Sequence, residues 1–142
     1  MNDRFKLRCY LTYAKLIFDI ESFHHNINNK KVTLHFINGS VKTVKEDEVV
    51  IMQCTGLKDK NGVLIYEGDL LNKTFRNRPF SSNYREKDKT VEVVWNDKKG
   101  AFTWQFIKKD DWDDYTSYSE LNTFENDEVI GNIFGARNIN EL

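Results

Sequence analysis

A chain of 142 residues has room for one ordinary domain or two small subdomains. Apolar residues make up 39% and charged residues 30%, so the core is modest and leans on ten Phe, six Tyr and three Trp. A formal net charge of −1 excludes a global pull towards nucleic acid or anionic lipid, and seven glycines with one proline argue against a disordered chain.

Residues 5–11 alternate, with Phe5, Leu7, Cys9 and Leu11 on one side, which predicts a half-buried strand. Residues 14–23 fit a strand through Leu16, Phe18 and Ile20, although Ala14, Ile17 and Phe18 also suit a helical stripe. Residues 32–37 and 41–44 are rich in β-branched side chains and flank Asn38-Gly39-Ser40, which predicts a hairpin. The charged run 45–48 then marks a soft boundary between an N-terminal β-rich subdomain, 1–50, and a C-terminal one, 51–142.

Residues 51–71 place two apolar runs around a polar loop ending in Asn61-Gly62, with a second turn at Glu67-Gly68-Asp69. Gly68 suits φ angles costly for other residues, and Asp69 suits hydrogen bonds to turn amides. Residues 72–89 show no apolar periodicity and read as a long irregular insertion. Residues 90–96 and 101–107 predict a hairpin with Val91, Val93 and Trp95 facing Phe102, Trp104 and Phe106. An acidic segment follows at 110–128, then a short strand at 128–134 with a bulge at Gly131, and a tail from 137 that is a helical turn or frayed.

The run Thr55-Gly56-Leu57-Lys58-Asp59-Lys60-Asn61-Gly62, with Ile65-Tyr66-Glu67-Gly68-Asp69 after it, closely resembles the signature of YopX-like proteins from bacteriophages and prophages. Val129-Ile130-Gly131-Asn132-Ile133-Phe134 resembles the family's closing motif. The opening is similar more loosely, with Tyr10 where the family usually has tryptophan and Cys54 where an aromatic commonly precedes Thr-Gly-Leu. The resemblance implies a phage-encoded, mainly β protein of α+β type, its N-terminal strand and hairpin region packed on a C-terminal SH3-like barrel. It carries no activity to transfer, so no catalytic residue and no cofactor are assigned. Thr55, Gly56, Leu57, Asn61, Gly62, Tyr66, Glu67, Gly68, Asp69 and Gly131 are read as structural.

The loop before Lys60 lacks the Gly-Lys-Ser/Thr ending of a phosphate loop. His24, His25 and His35 have no zinc-ligand spacing with Cys9 or Cys54, and adjacent His24 and His25 point to opposite faces of a strand. The acidic run places Tyr115 and Thr116 where a calcium loop needs a ligand and a glycine. No metal site is assigned.

Two charged segments remain. Residues 73–89 hold six cations against two acids, a local +4, with Lys73, Phe75, Arg76, Arg78, Phe80, Tyr84 and Arg85 in the mixture of cations and rings that binds single-stranded nucleic acid. Residues 110–128 carry eight acids and no Lys or Arg, a local −8 that complements the first within one molecule or between neighbours. The leading expectation is a non-enzymatic module binding an unidentified protein or a second copy of itself, with Trp112, Tyr115 and Tyr118 helping to form the surface. Nucleic acid binding through 73–89 is the alternative. Two isolated cysteines, no leader and no apolar run of ~18–20 residues imply reduced thiols, no membrane span and a cytoplasmic setting in the bacterial host.

Overall fold

Alternating apolar positions bounded by tight turns give strands almost throughout, and the helical pieces include two three-residue 3-10 turns, Asp3–Phe5 and Glu46–Glu48. The computed structural model describes residues 2–76, 86–107, 124 and 126–139, and of 75, 76, 86 and 87 the backbone alone. Two compact units emerge, one of Met1–Gly56 with Phe134–Leu142 and one of Leu57–Ile133. The division falls after Gly56, inside the strand that runs from Val49 to Lys58.

In the first unit β1 (Leu7–Leu11) lies between β2 (Leu16–Asn26) and β5 (Val49–Lys58), antiparallel to both. β3 (Lys31–Phe36) and β4 (Val41–Lys45) continue the sheet beyond β2, and β6 (Leu64–Tyr66), a strand of the second unit, pairs with β5, which runs on into that unit. The hairpin predicted at 32–44 is present, its turn closed by Gly39 N–H on Phe36 O and by the Asn38 carboxamide accepting from Ser40 N. Residues 16–26 are strand rather than helix. Ile17 and Ile20 are both fully or nearly fully buried three residues apart, and a bulge between Ile20 and Ser22 resets the alternation. Cys9, Leu11, Ile20, Val32, Leu34, Val44 and Val49 form the core, with Phe18 and Phe36 packed against it and edge to face with each other.

In the second unit β7 (Asp69–Arg76), β8 (Glu86–Asn96), β9 (Ala101–Phe106) and β10 (Glu128–Asn132) form an antiparallel sheet in the order β10-β7-β8-β9. Val91, Val93 and Trp95 stand directly opposite Phe106, Trp104 and Phe102. Leu71, Ile65 and Phe124 complete that core. The expected bulge in β10 lies between Val129 and Gly131. No closed barrel forms among the described residues.

Two readings are corrected. Residues 72–89 are not one irregular insertion, since β7 and β8 stay paired out to Arg76 opposite Glu86. Lys73 occupies an inward position of β7, two residues after Leu71, so a cation stands where the strand period calls for an apolar residue. The tail opens as a strand, with a 3-10 residue, Ile139, after it: β11 (Arg137–Asn138) runs parallel to Leu16–Ile17 of β2, at the stretch β3 leaves unpaired. Phe134 stacks on Tyr10 with ring centroids 4.2 Å apart, and Asn138 Nδ2 donates to Asp19 Oδ1.

Candidate functional site

The signature stretch is built around one buried carboxylate, Asp59. Its Oδ1 accepts from the backbone N–H of Asn61 at 2.8 Å and of Val63 at 2.9 Å, and its Oδ2 accepts from Val129 N–H at 2.9 Å. Two of these bonds shape the loop before Gly62, and the third holds the start of β10. Burial pushes the Asp59 carboxyl up, but the amide bonds from Val129, Val63 and Asn61 outweigh it and leave the group below its ordinary value. Lys60 N–H donates to Asp127 O, and the Lys60 ammonium lies 3.5 Å from Glu128. The two signature motifs are thus joined by backbone bonds.

The second turn does the same for the rest of the sheet. Asp69, 1% exposed, accepts from Tyr66 N–H at 2.8 Å. Gly68 takes φ +86, donates to Val93 O and accepts from Ile133 N–H, so one residue ties the turn to β8 and to the end of β10. Gly56 has φ +80, and a Cβ there would stand 2.9 Å from Arg4 Cβ. The signature therefore fixes backbone paths, as Thr-Gly-Leu, Asn-Gly and Glu-Gly-Asp spacing suggests.

Among the described residues the charged segments meet at one point. Lys73 Nζ donates to Asp127 Oδ2 at 3.0 Å with both side chains nearly buried, and the ammonium lies 5.5 Å from the Trp104 ring centroid. Burial raises the Asp127 carboxyl above its ordinary value, while Lys73 pulls the other way. Lys73 is thus an internal ion-pair partner and not part of an exposed basic surface. Asp127, counted with the acidic run, is a core group. Phe75 and Arg76 lie on β7, and Arg78, Phe80, Tyr84, Arg85, Trp112, Tyr115 and Tyr118 lie outside the described residues.

The sequence reading takes Asp59, with Asn61 and Gly62, as setting backbone geometry, which its bonds to Asn61 and Val63 bear out, but it misses the reach of Asp59 to Val129 and the role of Asp127. Asp59 has the Asx-turn pattern of an aspartate two residues before a paired amide, which is a usable signal. Asp127 is one acid among eight, and nothing in its neighbours separates it from them. Cys9 and Cys54 are buried free thiols, and burial pushes Cys9 up to about 12. Among the described residues no group of three His, Cys, Asp or Glu side chains gathers as a metal site.

The chain is similar to the crystal structure of protein EF1440 from Enterococcus faecalis, at 29% identity and a TM-score of 0.52, over 92% of this chain and 93% of that one. No curated protein matches it. The model of the YopX protein family matches residues 6–138, which takes in the Asp59 loop, the Gly68 turn and the closing motif together. The chain belongs to the YopX protein family.

Proposed function

We propose that this YopX-family chain is a non-enzymatic binding or scaffold module of a bacteriophage or prophage, acting in the cytoplasm of the bacterial host on a protein partner, a second copy of itself included. The observation that carries the reading is the use of the signature: Asp59, Gly68 and Asp69 are spent on backbone bonds, which leaves recognition to the charged surfaces. The buried Lys73–Asp127 pair supports charge complementarity between the basic and acidic segments, realised once inside the molecule. An SH3-like arrangement of residues 51–142 belongs to the same reading, supported by four antiparallel strands and the glycine turn at 68. Buried reduced thiols suit the cytoplasm.

Light scattering after size exclusion at tens of micromolar tests the self-association arm. Oligomers that dissociate as salt rises support it, and a monomer at low salt removes it. Affinity capture from induced host cells tests the protein partner. Nucleic acid binding through 73–89 is the second reading, favoured by the run beginning and ending on a paired ribbon, Arg76 opposite Glu86. Exchanging Arg76, Arg78 and Arg85 for Gln should then abolish oligonucleotide binding.

A further inference from the structure

Asparagine followed by glycine occurs twice in the chain, at Asn38-Gly39 and at Asn61-Gly62. Such a pair carries a reaction of its own. The glycine nitrogen, with no Cβ beside it, attacks the asparagine carboxamide carbon, and the cyclic imide that forms opens with water. All four residues are exposed, and the glycines lie at φ +89 and +81 with open space where a Cβ would stand. Each glycine N–H also closes its turn on a carbonyl, Gly39 on Phe36 O at 2.9 Å and Gly62 on Asp59 O at 3.0 Å. Access and backbone are therefore alike at the two sites. Their carboxamides are held in opposite ways.

At Asn38 the oxygen is the bonded end. Oδ1 accepts from Ser40 N–H at 2.9 Å and from the Ser40 hydroxyl at 2.6 Å. When a nitrogen adds to the carboxamide carbon, an electron pair moves onto that oxygen. Two donors already aimed at it stabilise the charge as it develops, as an oxyanion hole does in acyl transfer. The same bonds hold the carboxamide over the turn, with Cγ beside the intervening Gly39 nitrogen.

At Asn61 the nitrogen is the bonded end. Nδ2 donates to Glu128 Oε1 at 3.4 Å, and Asn61 N–H donates to the Asp59 carboxylate at 2.8 Å. Two carboxylates thus flank this site, only one of them offset by Lys60 at 3.5 Å from Glu128, and they disfavour an anionic intermediate. Among the described residues no donor reaches Asn61 Oδ1.

We infer that Asn38 is a self-modification site, converting to aspartate and isoaspartate in the folded chain while Asn61 is preserved. A base takes the Gly39 N–H proton, and the nitrogen bonds to Asn38 Cγ. The oxyanion collapses, the Cγ–Nδ2 bond breaks, and Nδ2 leaves as ammonia with a proton from the solvent. One water then opens the imide. Attack at Cγ breaks the new bond and leaves aspartate. Attack at the main-chain carbon breaks the original peptide bond and leaves isoaspartate, the chain now running through the side chain. One water is consumed and one ammonia released, with no change of oxidation state. The product adds a negative charge to the β3–β4 turn. Isoaspartate also lengthens the backbone between Phe36 and Ser40, whose N–H to O bond closes the hairpin. The site does not depend on the binding reading.

The test holds the full chain for weeks at neutral and at mildly alkaline pH, with a parallel sample in denaturant. Mass spectrometry of the two peptides reads the exchange of NH2 for OH, and fragmentation tells isoaspartate from aspartate. Each donor is worth about two- to tenfold in rate, so native Asn38 should convert at least about tenfold faster than Asn61. Alkaline pH should speed the conversion. In denaturant, where both turns are lost, the two sites should convert at similar rates. Ser40→Ala should slow Asn38 by about two- to tenfold and leave Asn61 unchanged, and Ser40→Thr, which keeps the hydroxyl, should restore the rate. Equal native rates at the two sites would overturn the inference. So would a preference for Asn38 that survives denaturant undiminished, or a Ser40→Ala chain that converts like the parent.

Discussion

Asp59 offers the sharpest test of how the signature works. Its carboxylate receives three backbone N–H groups at 2.8–2.9 Å on a residue 6% exposed. A hydrogen bond to a charged group is worth about 1.5–3 kcal/mol, and a donor left buried without an acceptor adds its own cost. The three bonds share one group, so they do not sum, and Asp59→Ala should destabilise the second unit by about 3–5 kcal/mol. Asp59→Asn keeps one acceptor oxygen but turns an NH2 towards an amide, and about half that loss is expected. Urea unfolding followed by tryptophan fluorescence reports on this unit, because Trp95 and Trp104 lie in it.

The pH dependence separates the carboxylate from a mere packing effect. A carboxyl held below its ordinary 3.8 in the folded state stabilises above that value and loses the contribution as pH falls through the folded value. The gap between parent and Asp59→Asn should therefore be flat above about pH 5 and shrink towards pH 3. Exchange protection at Val129 N–H should fall in the variant throughout. An Asp59→Ala protein within about 0.5 kcal/mol of the parent, or a gap that does not change with pH, would refute the reasoning.

Three further outcomes follow from the same geometry. Gly56→Ala combines φ +80 with a Cβ 2.9 Å from Arg4 Cβ, whereas Gly62→Ala has φ +81 and open space. The first should lower stability by about 2–4 kcal/mol and the second by about 1, read as melting temperatures side by side. Lys73→Met leaves the Asp127 carboxylate buried without its cation and should cost about 3–5 kcal/mol at pH 7. Because burial already raises that carboxyl, the penalty belongs to its charged form, so the loss should diminish as pH is lowered towards 4, checked by denaturation at both values. A thiol reagent should find neither Cys9 nor Cys54 in the native protein and both in denaturant, since each is fully buried and pushed upwards by burial.

Where sequence and structure agree, the pattern was local. Asn38-Gly39 and the aromatic alternation of 91–106 define hairpins by turn chemistry and side-chain period alone. Both are as read. The extent of β7 and β8 was hidden because Lys73 sits at an inward position, and its burial depends on Asp127, more than fifty residues away. No window on the sequence contains both. The parallel pairing of β11 is equally non-local, as its two residues carry no apolar period and their partner is β2. The signature was visible as turns, but the anchoring of Val129 by Asp59 joins its two halves across the whole second unit.

The return of the tail to β2 makes the second unit an insertion within the first. During synthesis the inserted stretch, 57–133, is complete before residues 134–138 leave the ribosome. The earlier-made sheet must wait, with Tyr10 lacking its stacking partner and the flank of Leu16 and Ile17 open, until the last strand arrives. Order of appearance and order of completion are thus reversed: the unit begun first is finished last. A stop anywhere after 133 and before 138 leaves one unit whole and the other unfinished, a defect that proteolysis of nascent-length fragments would reveal as two separable stabilities.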